Sequence, residues 1–340
     1  MKMKPASPNL LARCLHDYFS DHLLRLRGMS PHTIHSYRDS LVLLLRFAAA
    51  KRKVEVSDLD LKDLDPERLI AFLSYVEKER GNSATTRNVR LAAIHAFFRY
   101  VGSRHPEQLG NAQRVLAVPF KRTDQRVIEY LDRMEIEKIL AGIDRTDFLG
   151  SRDYALLATM FNTGARVQEI IDLRANNLQL MKPFQLRLFG KGRKERFCPL
   201  WPQTAKVLLS FCEERQIDLR SDAKVFLNHR GGQLTRFGVR YILAKRLAHV
   251  RGTVPTLGRK RLHPHSMRHS TAVALLKSGV DLSTISQWLG HSSPTTTARY
   301  ASIDLDMKRD AIKRLKPVSH GPKAARRRIS ENVLKWLESL

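Results

Sequence analysis

The chain has 340 residues, 43% hydrophobic and 27% charged, enough for two ordinary cores and too apolar for a chain disordered throughout. Sixty Lys and Arg against 33 Asp and Glu give a formal charge of +27, with both halves positive: +9 over residues 1–123 and +18 over the rest. A polyanion, nucleic acid first, is therefore the expected partner, and a single basic tail is excluded as the source of the charge.

From Leu10 to about Val101 the apolar spacing is helical. LLARCLHDYFSDHLLRL comes first, then Ser30 and Pro31 take N-cap and N1 positions before HTIHSYRDSLVLLLRFAAA. Asp65 and Pro66 repeat that start signal for PERLIAFLSYVEKER, and Ser83 opens ATTRNVRLAAIHAFFRYV. This predicts a small all-helical domain over residues 1–105, in which Arg87, Arg90 and Arg99 are candidates to face a duplex backbone; equally, basic residues on a helix often form only a solvated face. Gly, Pro and polar residues then break the periodicity, so a linker is expected over residues 106–125.

A second domain is expected over residues 126–316, opening with the capping box Asp132 to Glu135. The helix SRDYALLATMF runs to Gly164, and TGARVQEIIDLR follows. Apolar Val167, Ile170, Ile171 and Leu173 anchor that segment while Arg166 sits at its start, where free N–H groups and the helix dipole favour anions; Glu169, three residues on, is placed to hold the guanidinium. FQLRLF and ERFCPL, joined by GKGRK, read as a β-hairpin with Lys191 at its tip between two glycines. Pro202 starts another helix, VFLNHRGGQLT suggests a strand and a Gly-Gly turn, and Thr235 caps RFGVRYILAKRLAHV. A basic loop over residues 251–261 leads to the helix that Pro264 opens; Asp281 caps LSTISQWLG, and Ser293 and Pro294 begin a short helix ending at Tyr300. DLDMKRDAIKRL is a further helix. Residues 317–340 form a basic and amphipathic tail, whose Ile329, Val333, Leu334, Trp336 and Leu337 are suited to docking.

The stretch Leu262–Tyr300 holds His265, Arg268, His269, His291, Arg299 and Tyr300 on apolar helical spacing. Arginine forks phosphate oxygens, histidine moves protons near neutral pH, and a tyrosine hydroxyl can attack phosphorus. His265, His269 and His291 lack the neighbouring carboxylate that would complete a zinc set, and a two-metal nuclease needs clustered Asp and Glu, so no metal is expected. Metal-free phosphoryl transfer, with Arg and Lys supplying the charge, is the remaining reading. Cys14, Cys198 and Cys212 are too scattered for a disulfide framework or a zinc ribbon and read as reduced. No apolar run approaches the ~20 residues of a membrane span and MKMKPASPNL has no signal-peptide core, so a cytoplasmic, nucleoid-associated protein with no membrane partner is expected.

Together TGARVQEI, GKGRKER, HPHSMRH and LGHSSPTTTARY resemble the phage-integrase family of tyrosine recombinases, near its Xer-type members. The resemblance implies a mainly α fold with a small β component (α+β), in which a SAM-like helical core-binding domain precedes the integrase-type catalytic domain. It implies that Arg166 and Arg268 clamp the scissile phosphate, that Tyr300 is the nucleophile giving a 3′-phosphotyrosyl link, and that Lys191 is the general acid. It gives His265 a proton-transfer role, His291 a hydrogen bond to the phosphate, and Glu169 a supporting one. It implies double-stranded DNA carrying specific recombination sites, a homo-tetramer in the synaptic complex, accessory recombinases in some systems, and no cofactor. The length of the tail and of the basic loop favours the integrase or transposase of a mobile element over a chromosome or plasmid dimer resolvase. A type IB topoisomerase and a non-catalytic DNA-binding accessory protein are the rival readings.

Overall fold

A computed structural model of the chain describes residues 9–123, 128–190, 194–290 and 294–300. The chain divides into two units, Met1–Arg126 and Val127–Leu340.

The first unit is built from helices whose starts are set by side-chain caps. Asn9 caps α1 (Leu10–Asp17), which continues over Tyr18–Leu26 with wider π-type turns. Ser30 caps α2 (Pro31–Arg52), Asp65 caps α3 (Pro66–Lys78) and Ser83 caps α4 (Ala84–Arg104), each accepting a backbone N–H that the first turn leaves without an intrahelical partner. Their inner faces bury Tyr18, Leu44, Phe72, Leu91, Phe97 and Phe98. The expected linker differs in its first half. Residues 106–116 continue into α5 (Leu109–Leu116), and Ala112, Val115 and Val118 are buried in the same core. Gly102 and Pro106 interrupt the helical pattern without ending the domain.

In the second unit, Asp132 and Glu135 form the capping box of α6 (Arg133–Ala141). Helix α7 (Phe148–Thr163) starts at Asp147, earlier than the sequence suggests, and stops at Gly164, whose left-handed φ of +59° turns the chain into α8 (Val167–Ile171). An antiparallel sheet follows in the order β1 (Leu178–Gln179), β2 (Gln185–Phe189), β3 (Glu195–Pro199). The hairpin register pairs Leu186 with Cys198 and Leu188 with Arg196, so the inner face carries Leu186, Leu188 and Cys198. The strand expected in VFLNHRGGQLT is instead two isolated bridges, Arg174 with Lys224 and Leu227 with Gln233, around a turn at Gly231. Helices α9 (Pro202–Glu214) and α10 (Arg236–Val250) follow, and the basic loop contains one short turn, α11 (Pro255–Gly258), anchored by buried Leu257. Helices α12 (Pro264–Lys277), α13 (Leu282–Leu289) and α14 (Pro294–Ala298) complete the described part. The expected helix after Tyr300 and the tail over residues 317–340 lie outside the described residues. No described helix is long and apolar enough to cross a membrane.

Candidate active site

The site grows from the turn between α7 and α8. Because Gly164 reverses the chain there, Arg166 becomes the N-cap of α8, and Glu169 reaches back to accept the Arg166 backbone N–H at 2.7 Å and its guanidinium at 2.9 Å. Glu169 is buried and needs more than one cation. The second comes from β3, where Arg196 grips both carboxylate oxygens, at 3.0 and 2.8 Å. Burial pushes the Glu169 carboxyl up, yet the Arg196 fork, with Arg166, outweighs it and holds the net pKa below the ordinary value.

A second feature ties these arginines together. The last carbonyls of α13 have no intrahelical donor and sit at the negative end of its dipole. Arg196 Nε donates to the Trp288 carbonyl at 2.9 Å, Arg268 Nη2 to that of Leu289 at 2.6 Å and Arg166 Nη2 to that of Gly290 at 3.1 Å. Arg268 Nη1 also donates to the Gly164 carbonyl at 2.7 Å, closing the loop back to the α7–α8 turn. Arg268 is buried, and burial, then the neighbouring Arg166 charge, push its pKa down to about 10, so it remains charged at neutral pH. A guanidinium carries five donors, and fixing one edge on backbone carbonyls leaves the other edge oriented for an anion.

The third group is aromatic. His263, His265 and His269 line the start of α12, with the His265 and His269 rings stacked at 6.1 Å. His269 Nδ1 lies 2.8 Å from the Tyr300 hydroxyl. The Tyr300 ring is 2% exposed and packs with Ala272, Val273, Leu276, Ile285 and Leu289. Burial raises its pKa, opposed by Arg268 and Arg299. Burial, then His265 and the other basic groups around it, push His269 down to about 4, so its ring is neutral at neutral pH. His265 is open to solvent on one side, and surrounding protein mass, then Arg268, lower its pKa too.

The structure thus gathers Arg166, Glu169 and Arg268 into one bonded network, and His265 and Tyr300 around His269. Lys191 and His291 lie outside the described residues. In the first unit, Arg87 is turned inward toward Glu77 at 3.9 Å and the Pro119 carbonyl at 3.3 Å, Arg90 is half-buried, and Arg99 is exposed. Sequence reasoning missed two members. Arg196 carried a signal, since it shares a strand face with buried Cys198, where an arginine needs a partner. His269 belongs to the stretch read as phosphate-holding but has no role of its own there beyond a rejected metal ligand, and among the described residues no trio of His, Cys, Asp or Glu gathers to hold a metal.

Residues 129–306 match the model of the phage integrase family, and residues 17–105 that of the phage integrase N-terminal SAM-like domain. The chain is 39% identical to integrase/recombinase y4rC of Sinorhizobium fredii over 331 residues, covering 97% of this chain and 98% of the relative. It is 31% identical to tyrosine recombinase XerC of Oceanobacillus iheyensis over 313 residues, 91% and 97% of the two chains. Among solved structures, the XerH recombinase bound to its palindromic difH substrate superposes with a TM-score of 0.66 at 23% identity, over 84% and 81% of the chains. The Tn1549 transposon integrase in complex with a circular-intermediate DNA gives 0.65 at 17% identity, over 89% and 99%. These two likenesses establish the shared, mainly helical fold with its small sheet.

Proposed function

The chain belongs to the phage integrase family, and on that footing we propose that it cleaves and rejoins duplex DNA at specific sites through a 3′-phosphotyrosyl intermediate. The observation that carries this reading is the array on the end of α13, where Arg166 and Arg268 are both pinned by the backbone carbonyls of Gly290 and Leu289. Two guanidinium groups fixed beforehand can stabilise a pentacoordinate phosphorus without reorganising as charge develops. Glu169 orients Arg166, and Arg196 neutralises the rest of the carboxylate charge so that Arg166 keeps a net attraction for phosphate.

In this assignment Tyr300 is the nucleophile, Lys191 protonates the leaving 5′ oxygen, His265 is the proton-transferring histidine and His291 hydrogen-bonds the phosphate. The covalent link conserves the phosphodiester bond energy, so the reaction is reversible. Tyr300 is buried in the arrangement described, and attack requires its hydroxyl to emerge toward bound DNA. Two duplexes need four cleavages and each chain offers one Tyr300, which supports a tetramer on paired DNA. Arg99 is the best placed of the first unit's candidate arginines to meet the backbone. We assign the chain to the integrase or transposase of a mobile element over an Xer-type dimer resolvase, because it is 39% identical to the integrase/recombinase y4rC and 31% identical to XerC. The test is a nicked suicide duplex carrying the repeats that bound the gene: Tyr300→Phe must bind it and form no covalent adduct. An adduct formed by Tyr300→Phe rejects the assignment.

A further inference from the structure

We propose that His269 is a catalytic residue, the base that takes the phenolic proton of Tyr300 as the tyrosine attacks the phosphate. The inference rests on the reading of Tyr300 as nucleophile, and moves the proton-accepting role from His265 to its neighbour one helical turn on. The geometry points to His269. Its Nδ1 is 2.8 Å from the Tyr300 hydroxyl, within the reach a general base needs, whereas the described contacts of His265 are with the rings of His263 and His269. Tyr300 is 2% exposed, so bulk water is poorly placed to take the proton, and His269 must keep this hydrogen bond as the hydroxyl turns toward DNA.

His269 is also adjacent in sequence to Arg268 on α12, so the base and one arm of the phosphate clamp are carried by the same helix. With the proton of the neutral ring on Nε2, Nδ1 is free to accept. In the step proposed, the Tyr300 O–H bond breaks and its proton passes to Nδ1, the oxygen–phosphorus bond forms, and the bond from phosphorus to the 5′ oxygen breaks. That oxygen receives the proton held by Lys191. On rejoining, the imidazolium returns its proton to the departing tyrosine.

The titratable and charged groups facing the ring are His265, His263 and Arg268 from its own helix and the residue before it, and Arg299 beside the tyrosine. With burial, they keep the ring neutral and available at neutral pH. An incoming phosphodiester brings a negative charge that offsets this cationic field, so the ring becomes more basic when it must accept the proton.

The test measures formation of the covalent adduct on a suicide duplex, alongside DNA binding, for the parental chain, Tyr300→Phe, His269→Gln and His269→Ala. His269→Gln keeps a hydrogen-bonding side chain but cannot take up a proton. It is expected to bind DNA as the parent does and to cleave about 10²-fold more slowly at neutral pH, with the deficit narrowing as rising pH supplies tyrosinate. Imidazole should restore part of the His269→Ala rate. Parental cleavage by His269→Gln, or a defect in His269→Ala that neither pH nor imidazole relieves, overturns the proposal. Should both variants lose DNA binding through misfolding, the parental chain decides: a rate level through neutral pH supports a built-in base, and one rising tenfold per pH unit refutes it. An adduct formed by Tyr300→Phe would sink the reading of Tyr300 itself, whereas an inert Tyr300→Phe beside a fully active His269→Gln would sink only the role of His269.

Discussion

Glu169 shows how a buried charge is made useful. A carboxylate this enclosed is costly unless paired, and here it is shared by two guanidinium groups, one facing the site and one bracing the sheet. Arg196→Met leaves Glu169 with Arg166 alone. Breaking a buried pair of this kind costs roughly 3–5 kcal/mol, which a shifted urea midpoint would show. The same variant should also cleave more slowly with DNA binding largely kept, because Arg166 would then be neutralised by Glu169; an unchanged midpoint and rate would show the pair to be dispensable. The pH dependence has a definite sign. The folded pKa of Glu169 is depressed, so its pairing contributes fully above the ordinary carboxylate range and is lost as pH falls below it. Acid unfolding of Glu169→Gln should therefore be less steep than that of the parent. Among the phosphate-binding groups, Arg166→Ala or Arg268→Ala should slow cleavage by roughly 10²–10³, the range for deleting one fixed donor to transition-state charge. Parental rates in both would place the clamp elsewhere.

At the scale of elements, the turn at Gly164 joins fold and site. Its φ of +59° suits glycine, its carbonyl receives Arg268, and an added Cβ would lie 2.5 Å from Leu289 Cδ2. Gly164→Ala should cost about 1–2 kcal/mol for the left-handed conformation alone, more with the clash, and should lower cleavage beyond what the stability loss explains. Normal cleavage at a temperature where the variant is fully folded would disconnect the turn from the clamp. Helix starts were readable because their cause is local: Ser30 with Pro31, Asp65 with Pro66, Asp132 with Glu135, Thr235 and Asp281 each satisfy backbone donors within three residues. Helix α5 was not readable, because Gly102, Pro106 and Gly110 look like a linker and only packing against the other helices buries Ala112 and Val115. The two-residue β1 exists only by pairing with β2. In the site, residue types and spacing pointed to Arg166, Arg268 and Tyr300, but the bonds that fix them span 124 and 104 residues for Arg166 and Arg268. The carbonyls of α13 as their anchor, and Arg196 as the second partner of Glu169, follow from tertiary placement.

For the molecule as a whole, the charge is divided between units with separate cores. Residues 1–126 carry +9 and residues 127–340 carry +18, so each is expected to hold DNA through phosphate contacts and neither to do so alone with the affinity of the chain. Five of the cations are held internally: Arg87, Arg152, Arg196, Arg246 and Lys260 pair with buried or partly buried carboxylates, Arg152 and Arg246 both with Asp153 and Lys260 with Glu135. Structural cations of this kind release no counterions on binding, so the number of phosphates neutralised is set by the cations free to face DNA and not by the 60 Lys and Arg of the sequence. The log of the binding constant should accordingly fall linearly with the log of salt concentration, with a slope of about −0.9 per phosphate contacted. If Arg99 touches the backbone, Arg99→Ala should lower that slope by about one, whereas Arg87→Ala should leave the slope alone and weaken the first unit's fold through Glu77 and the Pro119 carbonyl. Fluorescence anisotropy on one duplex from 50 to 300 mM salt separates the two effects. An Arg87→Ala slope reduced as much as that of Arg99→Ala would mean that Arg87 leaves its internal partners when DNA arrives.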